Sequence, residues 1–97
     1  MSRTVVLRPR ARDDLREIWL YTRQGWDAAQ ADEYVRQIER AIRGIADAPM
    51  LGSDRGHIRP GLRKVSVQSQ AIYYFHDKRS VRISRILHAR RDAGGEL

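Results

Sequence analysis

Two periods divide the chain. From Pro9 to Asp47 apolar residues recur at helical spacing, and from Leu62 to His88 they mostly alternate with polar ones. Ala11, Leu15, Ile18, Trp19 and Thr22 follow one another at intervals of 4, 3, 1 and 3, which makes one apolar stripe. A first helix is therefore predicted from Pro9, whose ring suits a first turn, to about Gln24, ending at Gly25. Ala31, Tyr34, Val35, Ile38, Ile42 and Ile45 carry a second helix, with Asp27 as its N-cap and Ala48-Pro49 as its stop. Only Gly25, Trp26 and the cap separate the two, so the helices form an antiparallel hairpin with their stripes on a common surface. Trp19 on the stripe and Trp26 in the turn read as core and staple rather than as platforms for stacked bases.

Strand-like runs flank this hairpin. Thr4 to Leu7 is β-branched and stops at Arg8-Pro9, which marks an edge strand. Met50 to Gly61 is a loop, with three glycines and a proline in twelve positions. Leu62 to Val67 points Val65 and Val67 inward and Lys64 and Ser66 outward, with Arg63 in the inward register. Ala71 to His76 is apolar on both faces and reads as a covered, central strand. Asp77-Lys78-Arg79 then turns the chain into Val81 to Asp92. Along that last strand Val81, Ile83 and Leu87 share one face and Arg82, Ser84 and His88 the other. Arg85 falls in the inward register and Ile86 in the outward one, so either a bulge re-aims them or both faces are partly covered. Short turns make the last three strands an antiparallel meander, with the Thr4 strand available to one edge. The class is α+β, a helical hairpin packed on one face of a small antiparallel sheet.

Length and charge narrow the possibilities. The 97 residues are one domain's worth of chain, residues 1–97, with a single modest core. No run is long and apolar enough for a membrane span, and MSRTVVLRPR lacks the apolar centre of a secretory signal. With no cysteine there are neither disulfides nor thiolate metal sites, which suits a reducing cytoplasm. Residues 1–54 hold nine Lys or Arg and nine Asp or Glu, so the whole net charge of +7 lies in residues 55–97. A polyanion or an acidic protein segment is the partner such a half attracts, although a solvated face that keeps the chain soluble has the same composition.

Most catalytic constellations are missing from the sequence. The glycines of the central loop precede a strand and not a helix, so no phosphate loop is present. His57, His76 and His88 fall on separate elements without metal-site spacing, and no metal or cofactor is expected. Asp13, Asp14, Glu17, Asp32, Glu33 and Glu39 read as solvent-side helix charges, with Asp32 paired to Arg36 and Glu39 to Arg43. What remains is a sheet face and tail carrying Arg59, Arg63, Lys64, Arg82, His88, Arg90 and Arg91, suited either to RNA phosphates or to docking without chemistry.

The order of RPRARDDLREIWLYT, AIRGIADAPMLG, RPGLRKVSV, AIYYF and VRISRILHARRD resembles the ParE branch of the ParE/RelE toxins of type II toxin-antitoxin modules, over nearly the full length. Leu87, His88, Arg90 and Asp92 at the end of the last strand are the most specific part. The resemblance implies a β-α-α-β-β-β fold, a ParD-like antitoxin partner whose C-terminal segment folds along the toxin, and inhibition of DNA gyrase without catalysis. Charge, pattern and this resemblance together put target contact on Arg82, His88, Arg90 and Arg91, and antitoxin contact at a groove between the helical hairpin and the sheet with Trp19, Tyr34 and Ile38 near its lip. The RelE branch implies instead an mRNA endonuclease, for which Arg63, Lys64, Arg82 and His88 are the candidate residues. No carboxylate on the Leu62 strand and no tyrosine after His88 supports that second reading.

Overall fold

A computed structural model describes residues 2–97. Strand β1 (Thr4–Leu7) leads through Arg8 into helix α1 (Pro9–Gly25), and Trp26 and Asp27 link it to α2 (Ala28–Asp47). The Asp27 side chain accepts from the Gln30 amide at 2.8 Å, the N-cap expected from sequence. A 3-10 turn at Pro49–Leu51 leads to β2 (Ser53–Asp54), and β3 (Arg63–Val67), β4 (Gln70–His76) and β5 (Ser80–His88) follow. A short α3 (Ala93–Glu96) closes the described chain.

The five strands form one sheet in the order β1-β5-β4-β3-β2. Strands β2 to β5 pair antiparallel, whereas β1 lies parallel to β5, with Thr4 opposite Ser80 and Leu7 opposite Ile83. The sheet is therefore mixed, where alternation alone had suggested a purely antiparallel one. The expected loop also contributes β2, a two-residue edge.

The helices cover one face, over a core of Ile38, Ile42, Ile45, Ile72, Tyr74, Val81, Ile83 and Ile86. Tyr74 is fully buried at the end of this layer; its hydroxyl donates to the Pro49 carbonyl at 2.6 Å and accepts from the Gly52 amide at 2.9 Å. Burial raises its pKa. Gly52 is required there, since a Cβ would stand 2.4 Å from that hydroxyl. A smaller core of Leu62, Ala71, Tyr73, Leu87 and Ala93 occupies the other face, where the Arg55–Leu62 loop and the C-terminal segment lie.

One extra residue in β5 explains that division. Ile83 pairs with Tyr74 and Arg85 with Tyr73, which leaves Ser84 unpaired in a β-bulge. Beyond the bulge the two faces exchange. Ile86 joins Val81 and Ile83 under the helices, while Leu87, expected beside them, packs into the second core.

Candidate functional site

The bulge falls where β5 loses its neighbour. β1 stops at Leu7, so the outer edge of β5 past Ile83 has no strand partner, and the start of α1 covers it. Asp14 takes the missing partner's place: its carboxylate accepts from the Ile86 amide at 2.9 Å and from Arg85 Nε and Nη2 at 2.8 and 2.9 Å. Both side chains are only 7% exposed, and the hydrogen bonds from Arg85 to Asp14 push the guanidinium further toward its charged form. Arg85 Nη1 also donates to the Glu96 carboxylate at 3.0 Å, and Arg91 grips the same carboxylate, which lowers the Glu96 pKa. Asp14 is thus a buried anchor and not a solvent-side charge. The other helix acids differ in detail as well. Glu33 holds Arg36 and Arg40, while Asp32 accepts from Trp19 Nε1 at 2.8 Å instead of pairing with Arg36.

Next to this anchor the end of α1, the middle of α2 and the end of β5 enclose a groove of about 770 Å³. Ile18 and Ile86 line it beside Asp14, Tyr34 reaches in from α2, and Tyr21 and Trp26 stand at its mouth, 81% and 75% exposed. The Tyr34 hydroxyl accepts from the Ser69 amide at 3.3 Å and from Gln70 Nε2 at 3.4 Å, fixing the β3–β4 turn against the groove. Exposed His88 and Arg91 complete the wall. His88 Nδ1 accepts the Arg90 amide at 3.2 Å, which sets the course of the tail.

The bulge separates residues that the sequence had placed together. His88 lies opposite Gln70 on the face of the α1–α2 hairpin, whereas Arg82 lies opposite Phe75 on the other face. Arg82 Nη1 is held by Asp77 at 3.0 Å. Arg63 pairs with Tyr74 and donates to the Gly52 carbonyl at 3.0 Å, and Lys64 pairs with Tyr73 on the opposite face. Four positions of β4 separate Tyr74 from Gln70, about 13 Å at a strand rise of about 3.3 Å, and β4 itself lies between β3 and β5, so Arg63 and His88 stand roughly 16 Å apart. Arg63 and His88 therefore lie on one face of the sheet and Lys64 and Arg82 on the other, so the four do not come together on a single face.

The antitoxin-side expectations divide in a similar way. Tyr34 lines the groove, but Ile38 is 0% exposed inside the main core and offers no surface. Trp19 is half-buried between the helices, bonded to Asp32 with Arg23 stacked 5.6 Å from its ring centroid, and does not line the groove. Trp26, expected as a staple, is the exposed one. Tyr21 was missed, although its place off the α1 stripe marked it as an aromatic without a core role.

A family described as the ParE toxin of type II toxin-antitoxin systems, parDE, matches residues 5–93. Toxin ParE1 of Mycobacterium tuberculosis is 36% identical over the full length of both chains. Toxin ParE1 of Caulobacter vibrioides is 35% identical over 91% of each. A solved structure described as a chromosomal ParDE TA system from P. aeruginosa superposes with a TM-score of 0.78, covering 90% of this chain and 96% of that one at 17% identity, which shows the shared fold.

Proposed function

The chain belongs to the ParE toxin family of type II toxin-antitoxin systems, and from that premise we propose that it blocks DNA gyrase by binding, without catalysis, in the cytoplasm. A ParD-like antitoxin neutralises it by laying an amphipathic segment in the groove between α1, α2 and β5. The observation that carries this reading is the sharing of one groove by two kinds of residue. Tyr21, Trp26 and Tyr34 offer large aromatic surface of the sort that dominates interface energies, and His88 and Arg91 stand on the same wall. A groove occupant covers both sets at once.

In this scheme His88, Arg90 and Arg91 face the target. Arg82 stands across the sheet from them and belongs to a different surface. Neutralisation is then competition for a common wall rather than a change of shape, and a positively charged toxin favours an acidic segment that folds as it binds. The test is a supercoiling assay with purified gyrase and antitoxin-free toxin. Loss of supercoiling by the wild type, its recovery on adding the cognate antitoxin, and no inhibition by Arg90→Glu/Arg91→Glu are the expected results. If cells are arrested while gyrase is untouched, the target lies elsewhere, and transcripts are the next substrate to inspect.

A further inference from the structure

The face away from the α1–α2 hairpin carries a second hollow of about 610 Å³, and its positive charge is only partly neutralised within the fold. Arg8 and Arg10 at the start of α1, Arg59 from the loop before β3, and Arg82 on β5 all line it, around the half-buried ring of Phe75. Among the described residues Arg8 and Arg10 form no ion pair, and Arg59 donates to the main-chain oxygen of Leu97. Arg82 is oriented by Asp77 and Ser80 through Nη1 alone, so its Nε and Nη2 retain donors without an acceptor. Glu96 also lines the hollow, but its carboxylate already serves Arg85 and Arg91. Besides Arg85, which Asp14 and Glu96 neutralise, four guanidinium groups from three segments thus line one hollow, where mutual repulsion opposes folding. The first turn of α1 has no acidic residue, although a helix start favours one.

We infer that this pocket binds the phosphodiester backbone of a nucleic acid. A guanidinium is a planar fork that meets phosphate oxygens two at a time, and an arginine already oriented by a carboxylate loses little freedom in doing so. An acidic peptide is the weaker fit. Such a segment draws much of its affinity from apolar burial, and the aromatic surface for that lies across the sheet in the other groove. The recognition is independent of sequence, because these arginines meet phosphates and not base edges. The site stands whether or not gyrase is the target.

The test is fluorescence anisotropy of the intact chain with a labelled single-stranded DNA oligonucleotide, and with RNA of the same sequence, across a salt series. Wild type is expected to bind, and Arg8→Gln/Arg10→Gln/Arg59→Gln to lose at least about tenfold in affinity. Its log–log salt slope should fall by about 2, from three lost contacts at roughly 0.7 each. Arg90→Gln/Arg91→Gln, on the other side of the sheet, should change both far less. A clear preference for DNA or RNA names that polymer as the ligand, and equal binding fits a backbone site open to either. No salt-dependent binding by wild type, or a triple variant that binds as tightly, overturns the inference. So does tighter, equally arginine-dependent binding of a poly-glutamate peptide, which would make this a protein-docking site. If melting curves show the triple variant unfolded, Arg10→Gln and Arg59→Gln alone should each lower the slope by about 0.7.

Discussion

On the helix side of the sheet Tyr21, Trp26 and Tyr34 line a groove that ends at His88; on the other side five arginines, Arg85 among them, line a hollow with Phe75. The first hollow offers apolar area and the second offers charge, so the two suit partners of different chemistry. One residue creates this division. Without the bulge at Ser84, strict alternation would set Arg82 and His88 on one face and merge the two surfaces. The Asp14–Arg85 pair joins what the bulge separates, because Asp14 lines the groove while Arg85 lines the arginine pocket.

Breaking that pair is the strongest way to damage both surfaces together. Asp14→Ala leaves buried Arg85 with the Glu96 carboxylate alone and frees the Ile86 amide, at a cost of about 3–5 kcal/mol. For a domain of this size that corresponds to a fall of roughly 15–30 °C in Tm, measurable by thermal denaturation. Replacing both partners, as Asp14→Leu/Arg85→Met, should recover part of the loss, since well-packed apolar residues substitute for a buried pair with little penalty while the Ile86 amide stays without its acceptor. A wild-type Tm for Asp14→Ala would show that the edge of β5 does not depend on this carboxylate.

The sequence made this anchor visible in two places without joining them. Asp14 lies between Ala11 and Leu15 on the apolar stripe of α1, and Arg85 interrupts the inward register of β5. A charge in an apolar register needs a partner, and here each answers the other, across 71 residues. Helices, cap, hairpin and the antiparallel run of the last three strands were all legible, because periodicity and turn chemistry act locally. Three things were not. The parallel docking of β1 depends on where the helical crossover returns the chain. The position of the bulge depends on how β4 and β5 register, and it was this that sent Leu87 and His88 to faces opposite those expected. The arginine pocket depends on both, since Arg8 and Arg10 meet Arg82 only once β1 lies against β5.

A milder substitution sharpens the contrast by touching one hollow alone. Trp26→Ala and Tyr21→Ala remove exposed rings from the groove mouth, so Tm should barely move. If the antitoxin sits there, each should weaken its binding at least about tenfold, or roughly 1.4 kcal/mol, by titration calorimetry. Oligonucleotide binding across the sheet should stay as in wild type. Trp19→Ala is the informative counterpart. It removes the bond to Asp32 and should loosen the hairpin while leaving antitoxin affinity nearly intact in the folded fraction. Equal losses of affinity for Trp19→Ala and Trp26→Ala would mean that the partner grips the hairpin's outer side instead.

The smallest effect concerns Asp77, which orients Arg82 on the charged side. Its carboxylate accepts from the Arg79 and Ser80 amides, both at 2.8 Å, and these bonds, with help from the Ser80 hydroxyl and Arg82, pull its pKa from 3.8 to about 2. A carboxyl depressed on folding stabilises the protein only while ionised. Its contribution is complete above about pH 4 and disappears as the pH falls toward 2. Asp77→Asn lacks that contribution at every pH, so the wild type should melt slightly higher at neutral pH and the gap should close in acid. Other acids titrate in the same window, Glu96 among them, which makes the difference between the two proteins the quantity to read. A gap that stays constant from neutral pH down to about 2 would mean that Asp77 shapes the turn by geometry alone, and that the orientation of Arg82 on the arginine side does not depend on its charge.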